Sequence, residues 1–132
     1  MSKDVKFTTA SEYMEENAYT PDYWTIVKIT TPQNEVFYKV FATWCGSYTM
    51  NETWRMNSGI TNVETEGDYI KFYGNSGSVY KLVNKESNYR TTMYAYSVLE
   101  SMMKKLELLG GKIEEMPFDT NWHEEINNDT TP

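Results

Sequence analysis

The sequence predicts an α+β fold: a five-stranded antiparallel meander, bent toward a partly open small barrel, with a C-terminal amphipathic helix and a short N-terminal helix packed on it. Segments between residues 23 and 83 are rich in β-branched and aromatic residues, and Gly, Asn and Pro separate them. Residues 90–109 repeat apolar side chains at helical spacing. At 132 residues and 15% aromatic content, we expect one globular domain over residues 1–118 and a flexible acidic tail over 119–132.

The first predicted element is a short helix over residues 10–17. Thr9 and Glu12 have the spacing of a capping box, in which each side chain accepts a hydrogen bond from the backbone N–H of the other residue. Thr20 precedes Pro21, and a residue before proline avoids the α region. The helix is therefore expected to end before this pair.

Two strands follow, over residues 23–31 and 36–44, and "PQNE" between them predicts a hairpin turn. The two-residue period of a strand divides the second one into two faces, and both faces carry aromatic rings. We therefore expect both faces of this hairpin to be covered.

Three more strands are predicted, over residues 53–64, 69–73 and 78–83. The tripeptide Asn-Ser-Gly occurs twice among them, at 57–59 and at 75–77. The second copy lies in a hairpin loop in which Gly77 takes a positive φ. The first interrupts an extended segment, where glycine indicates a bulge or a bend. Two turns are the structural interpretation; two loops that present polar groups to one ligand are the functional one.

The helix over residues 90–109 carries one apolar stripe and ends at Gly110-Gly111, so we expect it to lie on the sheet. The stripe consists of Ala95, Val98, Leu99, Met102, Met103, Leu106 and Leu109. Residues 112–116 follow as a possible edge strand, because Pro117 is tolerated only at an edge. Trp122 is the one large ring in the acidic tail, and it either docks on the domain or anchors a partner.

The formal net charge of −7 comes from the two ends. Residues 1–22 hold five acidic and two basic side chains, and residues 110–132 hold six and one. A near-neutral body does not provide the basic patch that direct nucleic-acid binding needs. The sequence has no apolar run long enough for a membrane helix, and a single cysteine excludes an internal disulfide, so we expect a cytoplasmic protein.

The motifs of common enzyme classes are absent from the sequence. One His and one Cys cannot form a structural zinc site, and "GNSGSVYK" lacks the spacing of a phosphate loop. A Cys45–His123 pair requires the tail to reach the loop after residue 44. The prediction is a protein without catalytic residues, metal or cofactor.

A binding surface is the remaining hypothesis. The loops around residues 45–58 and 73–77 combine aromatic and hydrogen-bonding side chains, as binding hot spots do. The candidate residues are Tyr48, Trp54, Arg55, Asn57, Ser58, Tyr73, Asn75 and Ser76. The structural alternative is that Trp54 and Tyr73 are core residues of a thin sheet.

The run "DYWTIVKI…YKVFATWCGSY…WRMNSGITNVETEGDYIKFYGNSGSVYKL", about residues 22–84, resembles small uncharacterised proteins of tailed cyanophages. The resemblance implies the host cytoplasm during infection as the setting and implies no catalytic residue. The first functional hypothesis is a non-enzymatic phage accessory protein that binds and modulates a host protein. The alternatives are a protein that binds or sequesters a signalling nucleotide, with Arg55 or Lys81 facing the ligand, and a minor virion component.

Overall fold

The computed structural model describes residues 18–46 and 52–128. Within them lie seven strands, a 3-10 turn and two helices: β1 (Tyr23–Thr30), β2 (Val36–Trp44), β3 (Thr53–Met56), β4 (Ile60–Glu66), β5 (Tyr69–Gly74), β6 (Val79–Val83), the turn Glu86–Asn88, α1 (Met93–Leu108), β7 (Lys112–Glu115) and α2 (Trp122–Asn128). The predicted helix over residues 10–17 and the candidate residue Tyr48 lie outside the described residues.

The strands form two antiparallel sheets. One has four strands in the order β3-β2-β1-β7, and the other has three in the order β4-β5-β6. The predicted α+β class with antiparallel pairing is confirmed. The predicted single meander of five strands, bent toward a small barrel, is wrong, because β3 pairs only with β2 and β4 pairs only with β5.

The division falls within the predicted strand 53–64, at Asn57. Its backbone N–H donates to the carbonyl oxygen of Val40 (3.1 Å), and its side-chain Oδ1 accepts from the N–H of Val40 (2.9 Å). Asn57 thus ends the pairing of β3 with β2. Gly59, at φ 141°, then turns the chain into the second sheet, where the register shifts between Ile60 and Asn62. The expected bend is present, and it moves the chain to another sheet.

The two sheets pack face to face around the main core. From β1 and β2 this core takes Trp24, Ile26, Tyr38, Val40 and Ala42; from β4, β5 and β6 it takes Val63, Ile70, Phe72, Tyr80 and Leu82. The Trp24 indole Nε1 donates to the carbonyl oxygen of Val83 (2.8 Å) and so joins the sheets. Burial of this many large apolar side chains between two sheets supplies the main driving force for folding.

Helix α1 covers the other face of the four-stranded sheet. Ala95 and Leu99 are fully buried and pack with Val27 and Phe41, so both faces of the β1-β2 hairpin are covered as expected. The Thr92 side chain accepts a hydrogen bond from the N–H of Ala95 (3.1 Å), which caps the helix start. Leu109, assigned to the apolar stripe, is instead 70% exposed because the helix ends at Leu108.

Helix α2 closes one end of the sandwich beside β4. Trp122 and Ile126 are 5% and 4% exposed and belong to the main core. The Tyr38 hydroxyl donates to Glu125 Oε2 at 2.6 Å, which ties the helix to β2. The prediction of a loose tail from residue 119 is therefore wrong for this helix, and Trp122 docks on the domain. In the described part of the chain, neither helix is long and apolar enough to cross a membrane.

Candidate ligand-binding cleft

The two Asn-Ser-Gly loops meet at one corner of the sandwich. The Ser58 hydroxyl donates to Ser76 Oγ (3.0 Å), and the backbone N–H of Ser76 donates to Ser58 Oγ (3.2 Å). The N–H of Asn75 donates to the carbonyl oxygen of Gly59 at 2.9 Å. The repeat therefore joins the loop between the sheets to the β5-β6 hairpin, and Gly77 has the expected positive φ of 92°.

Close approach of these loops depends on glycine at two positions. At Gly74 a β-carbon would lie 2.8 Å from Ser78 Oγ and 3.3 Å from Ser58 Oγ. At Gly59 it would lie 3.3 Å from Asn75 Nδ2, on a backbone that side chains rarely adopt. A side chain at either position would force the neighbouring serine or asparagine side chains to shift.

A cleft of about 600 Å³ opens beside the joined loops, which we call the Asn-Ser-Gly cleft. Its walls come from both sheets and from the segment before β1. The lining residues are Tyr19, Lys39, Arg55, Met56, Asn57, Ser58, Ser76, Gly77, Ser78 and Tyr80. This volume lies within the range of small-molecule sites, about 300–1,000 Å³.

The charges of the cleft are all positive among the described residues that line it. Lys39 and Arg55 are the charged residues of the lining, no Asp or Glu is among the described lining residues, and neither Lys39 nor Arg55 forms an ion pair with a carboxylate of the described chain. Lys39 lies opposite Val27, on the face of β2 toward α1, whereas Arg55 lies opposite Ala42, on the face toward the second sheet, so Arg55 is the cation that faces the cleft. Lys39 is half-buried and Arg55 is exposed. An anion could therefore enter without displacing a carboxylate of the described chain.

Two aromatic rings hold the Arg55 side chain. Its guanidinium carbon lies 4.5 Å from the ring centroid of Tyr19, and that ring lies 4.8 Å from the Tyr80 ring. Burial raises the pKa of the Tyr80 hydroxyl, and the nearby Arg55 charge opposes that shift. Tyr19 is itself fixed beside β6, because its N–H donates to the Val79 carbonyl (2.9 Å) and its carbonyl accepts from the Lys81 N–H (2.9 Å).

The opposite wall presents a chain of serine hydroxyls. Ser58 donates to Ser76, and Ser76 donates to Ser78 Oγ at 3.5 Å, a distance at the limit for hydrogen bonding. Ser78 accepts in this chain, so its own hydroxyl proton is available to a group in the cleft. A bound anion would then have one hydroxyl donor on this wall and the Arg55 guanidinium on the other.

Asn57 is a buried residue in the lining of the cleft. Its side chain is 4% exposed, and its Nδ2 has no hydrogen-bond partner among the described atoms. Nδ2 lies 3.4 Å from the point where a β-carbon on Gly74 would stand, so it faces that glycine. We assign Asn57 a positioning role, because its oxygen and backbone already bind Val40.

The structure separates the other predicted site residues. Trp54 and Arg55 are neighbours on β3 and face opposite sides; Trp54 packs on Phe41 with ring centroids 5.6 Å apart. Tyr73 lies on the outer face of the three-stranded sheet, where its hydroxyl donates to Glu64 Oε1 at 2.7 Å. Asn75 binds the partner loop through its backbone. The cleft therefore gathers Arg55, Asn57, Ser58 and Ser76.

Sequence reasoning missed Tyr19, Lys39, Ser78 and Tyr80 as lining residues and placed Lys81 wrongly. Lys81 points to the outer face of its sheet, with Nζ 4.7 Å from the Tyr69 ring centroid. Alternation along β6 carried a usable signal, because Ser78 and Tyr80 share a face that Lys81 does not. For Tyr19 the sequence carried no signal.

The structure gives Cys45 and His123 different partners. The Cys45 N–H donates to Asp22 Oδ2 (2.8 Å), and His123 Nε2 is 3.0 Å from Thr65 Oγ1. Burial, together with Asp22 and Glu52, raises the pKa of the Cys45 thiol, which disfavours the nucleophilic thiolate. Within residues 18–46 and 52–128, no three His, Cys, Asp or Glu side chains are placed to hold a metal ion.

Comparisons of the chain with protein-family models, with curated proteins and with solved structures give no match.

Proposed function

We propose that this protein is a non-enzymatic binding protein that takes a small anionic ligand into the Asn-Ser-Gly cleft. The observation that carries the proposal is the Arg55 guanidinium opposite a wall of serine hydroxyls, without a carboxylate among the described lining residues. A guanidinium without a carboxylate partner among the described residues, facing neutral hydroxyl donors, favours phosphate or carboxylate groups.

A ligand of the size of a nucleotide suits the volume of the cleft, and a signalling nucleotide is a member of this class. Stacking of a base on Tyr19 is not expected, because Arg55 and Tyr80 already contact its ring. The anionic group is therefore the main feature that would be recognised. Binding in this form would sequester the ligand without changing it chemically.

Thermal unfolding in the presence of mononucleotides and cyclic dinucleotides tests the proposal, with the uncharged nucleosides as matched probes. A ligand that binds only the folded state adds about 2.7 kcal/mol to the free energy of unfolding when its concentration is a hundred times its Kd. The melting temperature rises as a result. We expect the phosphorylated probes to give this shift and the nucleosides to give none.

The variants Lys39→Met and Arg55→Met remove the charges and keep most of the apolar length of each side chain. We expect Arg55→Met to give most of the reduction, because the Lys39 side chain starts from the opposite face of the sheet, and the double variant to remove the shift. Lys85→Met is the control, since Lys85 is exposed and outside the cleft. An undiminished shift in the double variant, or equal shifts with nucleosides, would contradict the proposal.

A second candidate function is the binding and modulation of a host protein, in the phage setting that the sequence resemblance implies. The exposed start of α1 favours it, since Met93 and Tyr94 are 92% and 50% exposed. Affinity capture from cyanobacterial lysate, compared between the wild type and a Met93→Asp/Tyr94→Asp variant, tests it. The same proteins captured at the same level by both would exclude this surface.

A further inference from the structure

The outer edge of β7 is the open edge of the four-stranded sheet. β7 pairs with β1 through the register Val27↔Glu115 to Thr30↔Lys112, and no described strand pairs with its other side. An edge strand presents unpaired N–H and C=O groups that can bind another strand. Lys112 and Glu115 on this strand are exposed.

The sequence of β7 is complementary to itself in one antiparallel register. We consider a two-fold axis that is perpendicular to the sheet and relates β7 to β7 of a second copy. Side chains directly opposite each other lie on the same face of the sheet, so one residue of β7 must lie opposite its own copy, and the axis passes between these two residues. With the axis at Ile113, each Lys112 lies opposite Glu114 of the second copy. With the axis at Lys112 or Glu114, like charges lie directly opposite each other, which is unfavourable.

The charges at this edge already attract each other within one chain. Lys112 Nζ lies 3.6 Å from Glu114 Oε2, so both side chains stand on the same face of β7. Ile113 is on the other face, toward α1, where it packs with the second apolar cluster. In the register centred on Ile113, the two isoleucines would lie opposite each other and the four charges would alternate in sign.

A groove of about 310 Å³ lies between the C-terminal half of α1 and β7. Met103 and Ile113 belong to its apolar part and are half-buried, and Glu100, Glu107, Lys104 and Lys112 add two charges of each sign. A surface with both signs of charge around an apolar centre can pack against its own copy, as isologous interfaces require.

We propose that a second copy of this chain adds to the outer edge of β7, with the two-fold axis at Ile113, and forms one continuous eight-stranded sheet across the dimer. Lys112 pairs with Glu114 of the second copy twice in this arrangement. The grooves beside α1 come together across the axis and bury Met103 and Ile113. This inference is independent of the ligand proposal, because the residues at the β7 edge do not line the Asn-Ser-Gly cleft.

Sedimentation velocity over a hundredfold range of concentration, about 2 to 200 µM, tests the dimer. We expect a reversible monomer–dimer equilibrium for the wild-type chain. Lys112→Glu places four carboxylates across the edge, and Glu114→Lys places four ammonium groups there. Each should weaken association roughly tenfold or more, because the two-fold axis turns both attractive pairs between positions 112 and 114 into pairs of like charge.

The double variant Lys112→Glu/Glu114→Lys restores opposite charges in the same register, so we expect it to associate nearly as the wild type does. Lys85→Glu is the control for a change in net charge, since Lys85 is exposed and distant in sequence from β7. Circular dichroism of each variant establishes that it is folded.

A wild-type chain that stays monomeric over the whole range would overturn the proposal, and the edge would then be open to a strand of another protein. A dimer that survives both single charge reversals, or that the double variant fails to restore, would overturn the β7 register.

Discussion

At the scale of single residues, the cleft depends on side chains that are small or absent. Gly74 has no β-carbon that would collide with two serine hydroxyls. The side-chain oxygen of Asn57 accepts the hydrogen bond from the Val40 N–H that a carbonyl oxygen of a neighbouring strand would otherwise accept. Neither role follows from composition. Glycine and asparagine in "NSG" indicate a turn, and that much was predictable; that the two turns touch depends on the path of the chain between them.

Gly74→Ala is expected to destabilise the fold by about 1–3 kcal/mol, because the added methyl group would stand 2.8 Å from Ser78 Oγ. Ser78→Ala removes that oxygen. In the double variant we therefore expect part of the loss to be recovered, which urea unfolding of all four proteins would measure as a coupling energy. Strictly additive effects would show that the close contact is not the cause.

Tyr73 makes stability depend on pH at the alkaline end. Burial and the hydrogen bond to Glu64 raise the pKa of its hydroxyl to about 12. An unfolded tyrosine titrates near 10, so between about pH 10 and pH 12 the unfolded chain loses this proton first. The stabilisation is complete below pH 10 and declines as the pH rises toward 12.

Tyr73→Phe is the matched variant for this effect. We expect its free energy of unfolding to fall less steeply than that of the wild type between pH 10 and pH 12, when both are measured by urea unfolding. Tyr80 and Tyr89 also have raised pKa values, so the variant retains part of the slope. If the free energy of unfolding of both proteins falls equally steeply with pH, Tyr73 does not contribute to this pH dependence.

At the scale of elements, strands with strong β-branched and aromatic patterns were predictable, and so was the short edge strand β7 before Pro117, whereas helix α2 was not. The pattern located β1, β2, β5 and β6 to within about one residue, and it predicted a helix over 90–109 where α1 runs from Met93 to Leu108, because local preference and burial agree there. Helix α2 has only Trp122 and Ile126 as apolar anchors in a polar segment. Its stability comes from packing on the sandwich, which a local pattern does not reveal.

Trp122→Ala is expected to cost about 3–5 kcal/mol of unfolding free energy, because it empties a buried site that is filled by an indole. The Trp122 ring packs edge-on against Phe72, with centroids 6.1 Å apart. Urea unfolding followed by circular dichroism measures the loss. Glu124→Ala on the exposed side of the same helix is the control, with a change of about 0.5 kcal/mol or less.

At the scale of the whole molecule, the sequence predicted the layers poorly because it contains no direct signal for which strands share a sheet. The segment 53–64 reads as one extended strand, and only the contacts of Asn57 with Val40 show that it serves two sheets. Alternation predicted that both faces of the β1-β2 hairpin are covered, but it could not say that a second sheet covers one and a helix covers the other.

The shared core predicts cooperative unfolding. The inner face of the three-stranded sheet is buried against the four-stranded sheet, and Trp24 bonds to Val83 across the two. Neither sheet has a separate core on that side. We therefore expect one urea transition, with coincident curves from circular dichroism and tryptophan fluorescence. Two separated transitions would show that the sheets unfold independently.

The position of the Asn-Ser-Gly cleft has a mechanical consequence. Lys39 and Arg55 belong to the four-stranded sheet, whereas Ser76 and Ser78 belong to the β5-β6 hairpin of the other one. A ligand that contacts both walls would link the two sheets for as long as it is bound. Its arrival would slow the amide hydrogen exchange of β3 and β6 together, although the two strands share no hydrogen bond in the sheet pairing.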